Sequence, residues 1–200
     1  MSLEGRLELI TGRAKMPEVV TYPIIMSTPM VRQIDAGRKT RTFRLPTSIW
    51  ANVKMHHDDG DRVLLWVREA FREDGGRFWF RAEPPDDPSL LRGRRWAPSI
   101  HMRRESSRFS LEVTDIRLQR LNESTDQDAE AEGCRFDRHG FFFDDRPELR
   151  APGALCAFAL FWNHLHPHPG AKWHDNPEGY AIWFKVHRAN VDQVLQELAA

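Results

Sequence analysis

The sequence predicts an α+β fold in which strands are interleaved with short helices, a pattern that suggests a mixed α+β barrel. Residues 62–67 form a continuous apolar run, which is typical of a strand buried on both faces. Residues 109–118 and 180–186 alternate between apolar and polar side chains, as half-buried strands do. The alternation in 109–118 changes phase near Thr114 and Asp115, which predicts a one-residue bulge that bends the strand. We expect Trp66, Val113 and Phe184 to point inside.

Helix and turn signals place the other elements around these strands. Residues 29–36 read as a helix capped by Thr28, with Gly37 at its C′ position. A capping pair, Ser124 with Gln127, opens a helix over 126–132. The sequence Glu73-Asp74-Gly75-Gly76 predicts a hairpin whose return strand, 77–82, joins the same sheet. Further elements are a strand at 22–26, a helical turn at 46–54, a helix with the apolar stripe Leu155, Phe158, Ala159, Trp162 and Leu165, and a last helix capped by Asn190 with the stripe Val191, Val194, Leu195 and Leu198.

Composition excludes several classes of protein. The chain has 200 residues with 29 basic and 29 acidic side chains, whereas a general coater of duplex DNA carries a basic excess. Charge is nevertheless segregated: residues 92–108 hold six arginines and one acid, and residues 122–148 are acidic. Cys134 and Cys156 form neither a disulfide framework nor a metal-ligand pair. With no membrane-length apolar run and no leader, we expect a cytoplasmic protein with reduced thiols and no membrane partner.

Residues 37–44 (Gly-Arg-Lys-Thr-Arg-Thr-Phe-Arg) concentrate four cations and two hydroxyls directly after a predicted helix. Packing alone does not require so much charge. One interpretation is a solvated basic turn that complements the helix dipole. The other is a binding or catalytic segment that runs into a strand.

The pattern Gly37-x-Lys39-x-x-Thr42-x-Arg44 resembles the signature of ASCH domains, which are members of the PUA-like superfamily. The chain is similar to the phage and prophage branch of that family through six blocks in the same order, over about residues 23–187. These blocks lie at 27–44, 60–69, 98–102, 111–115, 128–133 and 180–186. The resemblance implies a PUA-like mixed β-barrel with short flanking helices. It places an N-terminal extension at 1–20, the domain at 21–188 and an added C-terminal helix, packed on the domain, at 189–200.

The resemblance also implies a catalytic trio. In ASCH members that hydrolyse acylated cytidine, a lysine and a threonine of this motif act with a downstream glutamate, which correspond here to Lys39, Thr42 and Glu132. A lysine nucleophile must lose its proton, and neighbouring arginines lower the pKa of Lys39 by like-charge repulsion. The preceding helix C-terminus acts in the opposite direction. A binding or structural role for the trio remains open.

Other polar residues are candidate ligand contacts. Arg44 either binds a phosphate or pairs internally with Glu69. The segment around Trp96 interleaves cations with an aromatic ring, as binders of single strands do, although Trp96 also fits a buried position. The full set of candidate ligand-binding residues is Arg41, Arg44, Glu69, Trp96, Ser99, His101 and Arg103.

The histidines at 164, 166, 168 and 174 do not follow a zinc-ligand spacing, and prolines between them indicate a loop. We therefore predict no metal site and no cofactor.

Together these observations predict a protein that binds RNA, a single-stranded nucleic acid or a modified nucleobase or nucleoside. The expected cleft lies between the 37–44 motif, the 92–108 loop and the helix that carries Glu132. Hydrolysis there would be amide cleavage on a modified cytidine or RNA cleavage with Glu132 or His101 as proton carriers. The alternative is a non-catalytic, phage-derived reader of modified bases, or an adaptor using the acidic 122–148 face. A salt bridge between Lys39 and Glu132 favours the reader, whereas a free Lys39 beside an open pocket favours the enzyme.

Overall fold

A computed structural model describes residues 17–91 and 95–200, so part of the predicted extension and Arg92, Gly93 and Arg94 lie outside the described residues. The described residues form ten strands and five α-helices in mixed order, which agrees with the predicted α+β class. The strands are β1 (Val19–Ile25), β2 (Arg41–Arg44), β3 (Arg62–Arg68), β4 (Phe71–Asp74), β5 (Arg77–Phe80), β6 (Ser110–Arg120), β7 (Arg135–Asp137), β8 (Gly140–Phe143), β9 (Arg146–Ala151) and β10 (Glu178–His187). The helices are α1 (Thr28–Asp35), α2 (Ser48–Asp58), α3 (Asp126–Ala131), α4 (Ala154–Leu165) and α5 (Val191–Ala199). In the described residues, no helix has the length and apolar character that crossing a membrane requires.

A five-stranded sheet in the order β1-β3-β6-β10-β2 forms the centre of the fold. Its first pair is parallel and the others are antiparallel. Three of the four strands predicted for one sheet lie here, but the fourth prediction is wrong: β5 pairs with β4 in a separate two-stranded sheet. Glu69 and Ala70 separate β3 from β4 and belong to neither strand, and Arg108 binds the Glu69 carboxylate at this point. With β1 and β2 as its edges, the central sheet does not close into the expected barrel.

The bulge predicted in the long strand is confirmed. In the pairing of β6 with β10, Trp183 lies opposite Asp115 and Phe184 opposite Val113, so Thr114 is the extra residue. Val113 and Ile116 both reach the core on either side of it. Leu118, two residues further along the strand, is exposed.

Strand β3 is buried on both faces, as its apolar run predicts. Leu65 and its alternate neighbours enter the main core, while Leu64 packs against Val191 and Val194 of α5. Trp66 lies on this second face, partly buried against α5, so its predicted position inside the sheet is wrong. The period of two in a strand places neighbouring residues on opposite faces, and a tryptophan beside α5 finds apolar cover there.

A second core forms where α4 packs against α3 and a three-stranded sheet of β7, β8 and β9. That sheet accounts for most of residues 135–152, which matched none of the family blocks. The buried face of α4 consists of Ala154, Ala157, Phe158, Phe161 and Trp162. It is rotated from the predicted stripe: Ala157 and Phe161 are buried, whereas Ala159 is only partly buried and Leu165 is exposed.

Several boundaries also differ from the prediction. Val19 and Val20 already belong to β1, so the sheet begins before residue 21. Ser27 rather than Thr28 caps α1, since its Oγ accepts from the Met30 amide. Thr125 rather than Ser124 caps α3, in a reciprocal pair with Asp128. The helical turn predicted at 46–54 is part of a longer helix, α2 (Ser48–Asp58).

Candidate functional site

The 37–44 motif turns the chain from α1 into β2. Gly37 has a φ of +70°, and the amides of Gly37 and Arg38 donate to the carbonyls of Ile34 and Gln33, which closes the helix with the predicted left-handed turn. Strand β2 then pairs with β10, with Thr42 opposite Ile182. The side chains of Lys39, Arg41 and Thr42 are buried, so this segment is not a solvated basic turn.

Glu132, immediately after α3, holds two of these buried cations. Its Oε2 accepts from Lys39 Nζ at 2.7 Å, and its Oε1 accepts from Arg41 Nη1 at 3.1 Å. Lys39 Nζ also donates to the Glu132 backbone carbonyl at 2.8 Å. Asp128 lies 3.3 Å from Arg41 Nε. These four side chains form one ionic cluster, in which Lys39 and Arg41 are fully buried.

Burial lowers the pKa of Lys39, and the charges of Arg44 and Arg41 lower it further, while Glu132 raises it. The predicted effect of neighbouring arginines is therefore present but secondary to desolvation. The lysine is fully buried and is absent from the lining of the adjacent cavity, which Glu132 reaches instead. This position argues against Lys39 as the attacking nucleophile and assigns it to holding Glu132.

The cavity beside Glu132, which we call the Glu132 cavity, has a volume of about 90 Å³. Its polar side chains are Thr42, Arg44, Glu132 and His166. Its other lining residues are mainly aromatic: Met30, Phe43, Leu45, Phe143, Phe158, Phe161, Trp162 and Leu165. Phe143 and Phe161 stack with centroids 4.4 Å apart and planes at 9°. The cavity thus combines flat apolar surfaces with a polar group from each of several elements, as small-molecule sites do.

Arg44 bridges the cavity and the sheet. Its Nε donates to Thr42 Oγ1 at 3.2 Å, and its Nη2 donates to the Ile25 carbonyl at 2.9 Å. The predicted internal pair with Glu69 is wrong, because Glu69 accepts from Arg108 Nε at 2.8 Å. Burial raises the pKa of Glu69 in spite of that partner. Glu69 is therefore part of a separate ion pair and does not line the Glu132 cavity.

The predicted cleft is wrong on its second side, since no described residue of 95–108 lines the Glu132 cavity. His101 and Arg103 line a different cavity, against Phe71 and Phe78 of the two-stranded sheet. Trp96 and Ser99 are half-buried and line neither cavity. The aromatic wall comes instead from α4 and β8, which were predicted as core and as an unassigned insertion.

The acidic 122–148 face is largely neutralised by its own neighbours. Asp137 pairs with Arg150 at 2.6 Å, and Asp144 pairs with Arg135 at 3.0 Å. The Asp126 carboxylate accepts from the Leu155 amide at the start of α4. These contacts remove the support for an adaptor surface. Across 17–91 and 95–200, no three His, Cys, Asp or Glu side chains converge as metal ligands would.

Comparisons of the chain with protein-family models, with curated proteins and with solved structures gave no match. The function is therefore inferred from the Glu132 cavity and from the sequence resemblance, and the cavity is the stronger basis because its residues are in contact.

Proposed function

We propose that this chain is an ASCH-type, PUA-like protein that binds a nucleobase, either in single-stranded RNA or as a modified nucleoside, in the Glu132 cavity. The observation that carries the proposal is a buried carboxylate, fixed by two cations, at one side of an aromatic-walled cavity. The six sequence blocks support it independently, although the open sheet and separate hairpin depart from the barrel that the resemblance implied.

Each part of the cavity suits a base. A planar ring gains from stacking on aromatic side chains, and this contribution is about 1–3 kcal/mol per base in single-strand binders. Glu132 and Thr42 offer acceptors to an exocyclic amine or ring N–H, and Arg44 offers donors to a carbonyl oxygen. A base with the wrong pattern of donors and acceptors would leave these buried polar groups without hydrogen-bond partners. The cost of those unpaired groups would make the cavity select among bases.

The salt bridge between Lys39 and Glu132 favours a non-catalytic reader over a hydrolase. A nucleophilic lysine must reach its substrate, and Lys39 is separated from the cavity by the carboxylate that it binds. One observation supports hydrolysis as a second candidate: Glu132 itself faces the cavity, where a carboxylate can activate water. RNA cleavage through His101 loses support, since His101 lies on another cavity.

A panel assay tests the proposal. Wild type, Thr42→Val and Phe161→Leu are titrated with single-stranded RNA, single-stranded DNA, duplexes, nucleosides and acylated nucleosides, and products are followed by mass spectrometry. We expect single-stranded or nucleoside ligands to bind and both variants to weaken binding about tenfold or more, since each removes a cavity contact. Arg103→Gln is the matched control on the other cavity. Weakening by Arg103→Gln alone would place the site on the other cavity. Turnover by wild type that falls in Thr42→Val and Phe161→Leu but not in Arg103→Gln would establish the hydrolase.

A further inference from the structure

Two side chains on the Glu132 cavity retain hydrogen-bonding atoms that the described protein does not use. Arg44 Nε donates to Thr42 Oγ1, and Arg44 Nη2 donates to the Ile25 carbonyl and lies 3.4 Å from Met26 Sδ. No described residue accepts from Arg44 Nη1. The His166 ring lies against the Trp162 ring, with centroids 4.0 Å apart and planes tilted by 33°. No described residue hydrogen-bonds to either of its ring nitrogens.

His166 ends α4 and faces Arg44 of β2 in the same cavity. Burial lowers the pKa of His166, and the charge of Arg44 lowers it further. The third ionisable group on the cavity wall is Glu132, whose charge is already shared by Lys39 and Arg41. His164, on the same helix, accepts from Arg146 and lines no part of the cavity.

A guanidinium and an imidazole line the same cavity, and each has an N–H donor without a described partner. Such a pair of donors is suited to bind an oxyanion. A phosphate oxygen accepts from guanidinium N–H groups in a charge-assisted bond, and a second oxygen accepts from an imidazole N–H. The same phosphate would stabilise the protonated imidazole and offset the repulsion from Arg44. A neutral ribose offers neither effect.

We propose that Arg44 and His166 form a phosphate subsite, so that the cavity takes a nucleotide or a phosphodiester strand in preference to a free nucleoside. This inference rests on the proposed function, because the base occupies the aromatic part of the same cavity. It adds the chemical class of the ligand and assigns His166, which lies in the loop region predicted to hold no metal, as a ligand-binding residue.

The test compares cytidine 5′-monophosphate with cytidine by calorimetry, using wild type, His166→Phe and His168→Gln. His166→Phe keeps a ring on Trp162 but removes both nitrogens, and His168 is an exposed neighbour that serves as the control. In wild type we expect the nucleotide to bind at least about tenfold more tightly, the usual effect of a charge-assisted hydrogen bond. His166→Phe should remove most of that preference and His168→Gln none. Inorganic phosphate should compete with the nucleotide and leave cytidine binding unchanged.

An NMR titration of wild type gives a readout that does not depend on a variant folding. The His166 pKa should rise when the nucleotide is added and stay unchanged with cytidine. Equal affinity of nucleotide and nucleoside, with both weakened by Phe161→Leu, would overturn the phosphate subsite and leave the base-binding proposal standing. If neither ligand nor a short RNA binds the cavity, both proposals fail.

Discussion

Replacing Glu132 by glutamine should destabilise the fold more than any other single change in the ionic cluster. In wild type, Lys39 Nζ and Arg41 Nη1 lie 2.7 and 3.1 Å from the Glu132 carboxylate oxygens. The uncharged glutamine amide would leave both cations buried without this anion. Breaking a buried ion pair by removing one partner costs about 3–5 kcal/mol. Since domains of this size are stable by roughly 5–15 kcal/mol, the loss is a large part of the total. Lys39→Met should cost less, because Glu132 keeps Arg41.

Urea unfolding followed by tryptophan fluorescence measures these differences. The exposed Glu130→Gln, on the same helix, is the control and should stay within about 0.5 kcal/mol of wild type. The double variant Lys39→Met/Glu132→Gln should be more stable than Glu132→Gln alone, since it buries one cation fewer without a partner. A loss below about 1 kcal/mol for Glu132→Gln, or a larger loss for Lys39→Met, would refute the account of Glu132 as the shared anion.

Two further predictions concern reactivity and packing. Burial raises the pKa of the Cys134 thiol to about 12, so a thiol reagent at pH 8 should modify only the exposed Cys156 until the protein unfolds; fast labelling of both would contradict this. Because that pKa is raised in the folded state above its ordinary value of 9.0, stability should fall as pH rises from about 9 to 12, and a Cys134→Ala variant should lack this component. A Cβ on Gly179 would clash with the Phe43 ring and with the Arg44 carbonyl, so Gly179→Ala should lower stability by about 1–3 kcal/mol in urea unfolding. Gly153→Ala, whose added Cβ meets nothing closer than 3.7 Å, should be near neutral, and equal effects would contradict the packing argument.

The apolar periodicity of the sequence predicts the long strands of the central sheet, but it does not reveal which strands pair. The bulge at Thr114 and the two-sided burial of β3 follow from the order of apolar residues alone. Residues 77–82 carry an equally good strand pattern, yet β5 pairs with its hairpin partner β4 and, in the described residues, with no strand of the central sheet. Whether a hairpin joins a sheet depends on contacts far along the chain, such as the pair between Glu69 and Arg108 that holds the preceding bend.

The ionic half of the site could be inferred from the sequence because its cations lie within the 37–44 motif and its carboxylates within the family block at 128–133. Lys39, Thr42 and Glu132 do meet, and Arg41 and Arg44 join them. The aromatic half was missed because an apolar helix face gives the same pattern whether it packs fully or borders a cavity. The only local signal was the density of Phe and Trp in α4, and the contribution of Phe143 depended on how residues 135–152 fold. Several candidate contacts from the basic 92–108 loop do not line the cavity that Glu132 lines, and His101 and Arg103 line another one. Charge alone does not indicate which face of the fold a loop occupies.

The central claim is that a base enters the Glu132 cavity, and photocrosslinking measures its position directly. A short RNA carrying 4-thiouridine, and the 4-thiouridine 5′-monophosphate, are irradiated with the protein, and crosslinked peptides are identified by mass spectrometry. We predict crosslinks on residues 158–166 of α4 or on Phe143 of β8, lost in the presence of excess unmodified nucleotide. Crosslinks confined to residues 99–106, on the other cavity, would contradict the account, as would crosslinks that excess nucleotide does not displace.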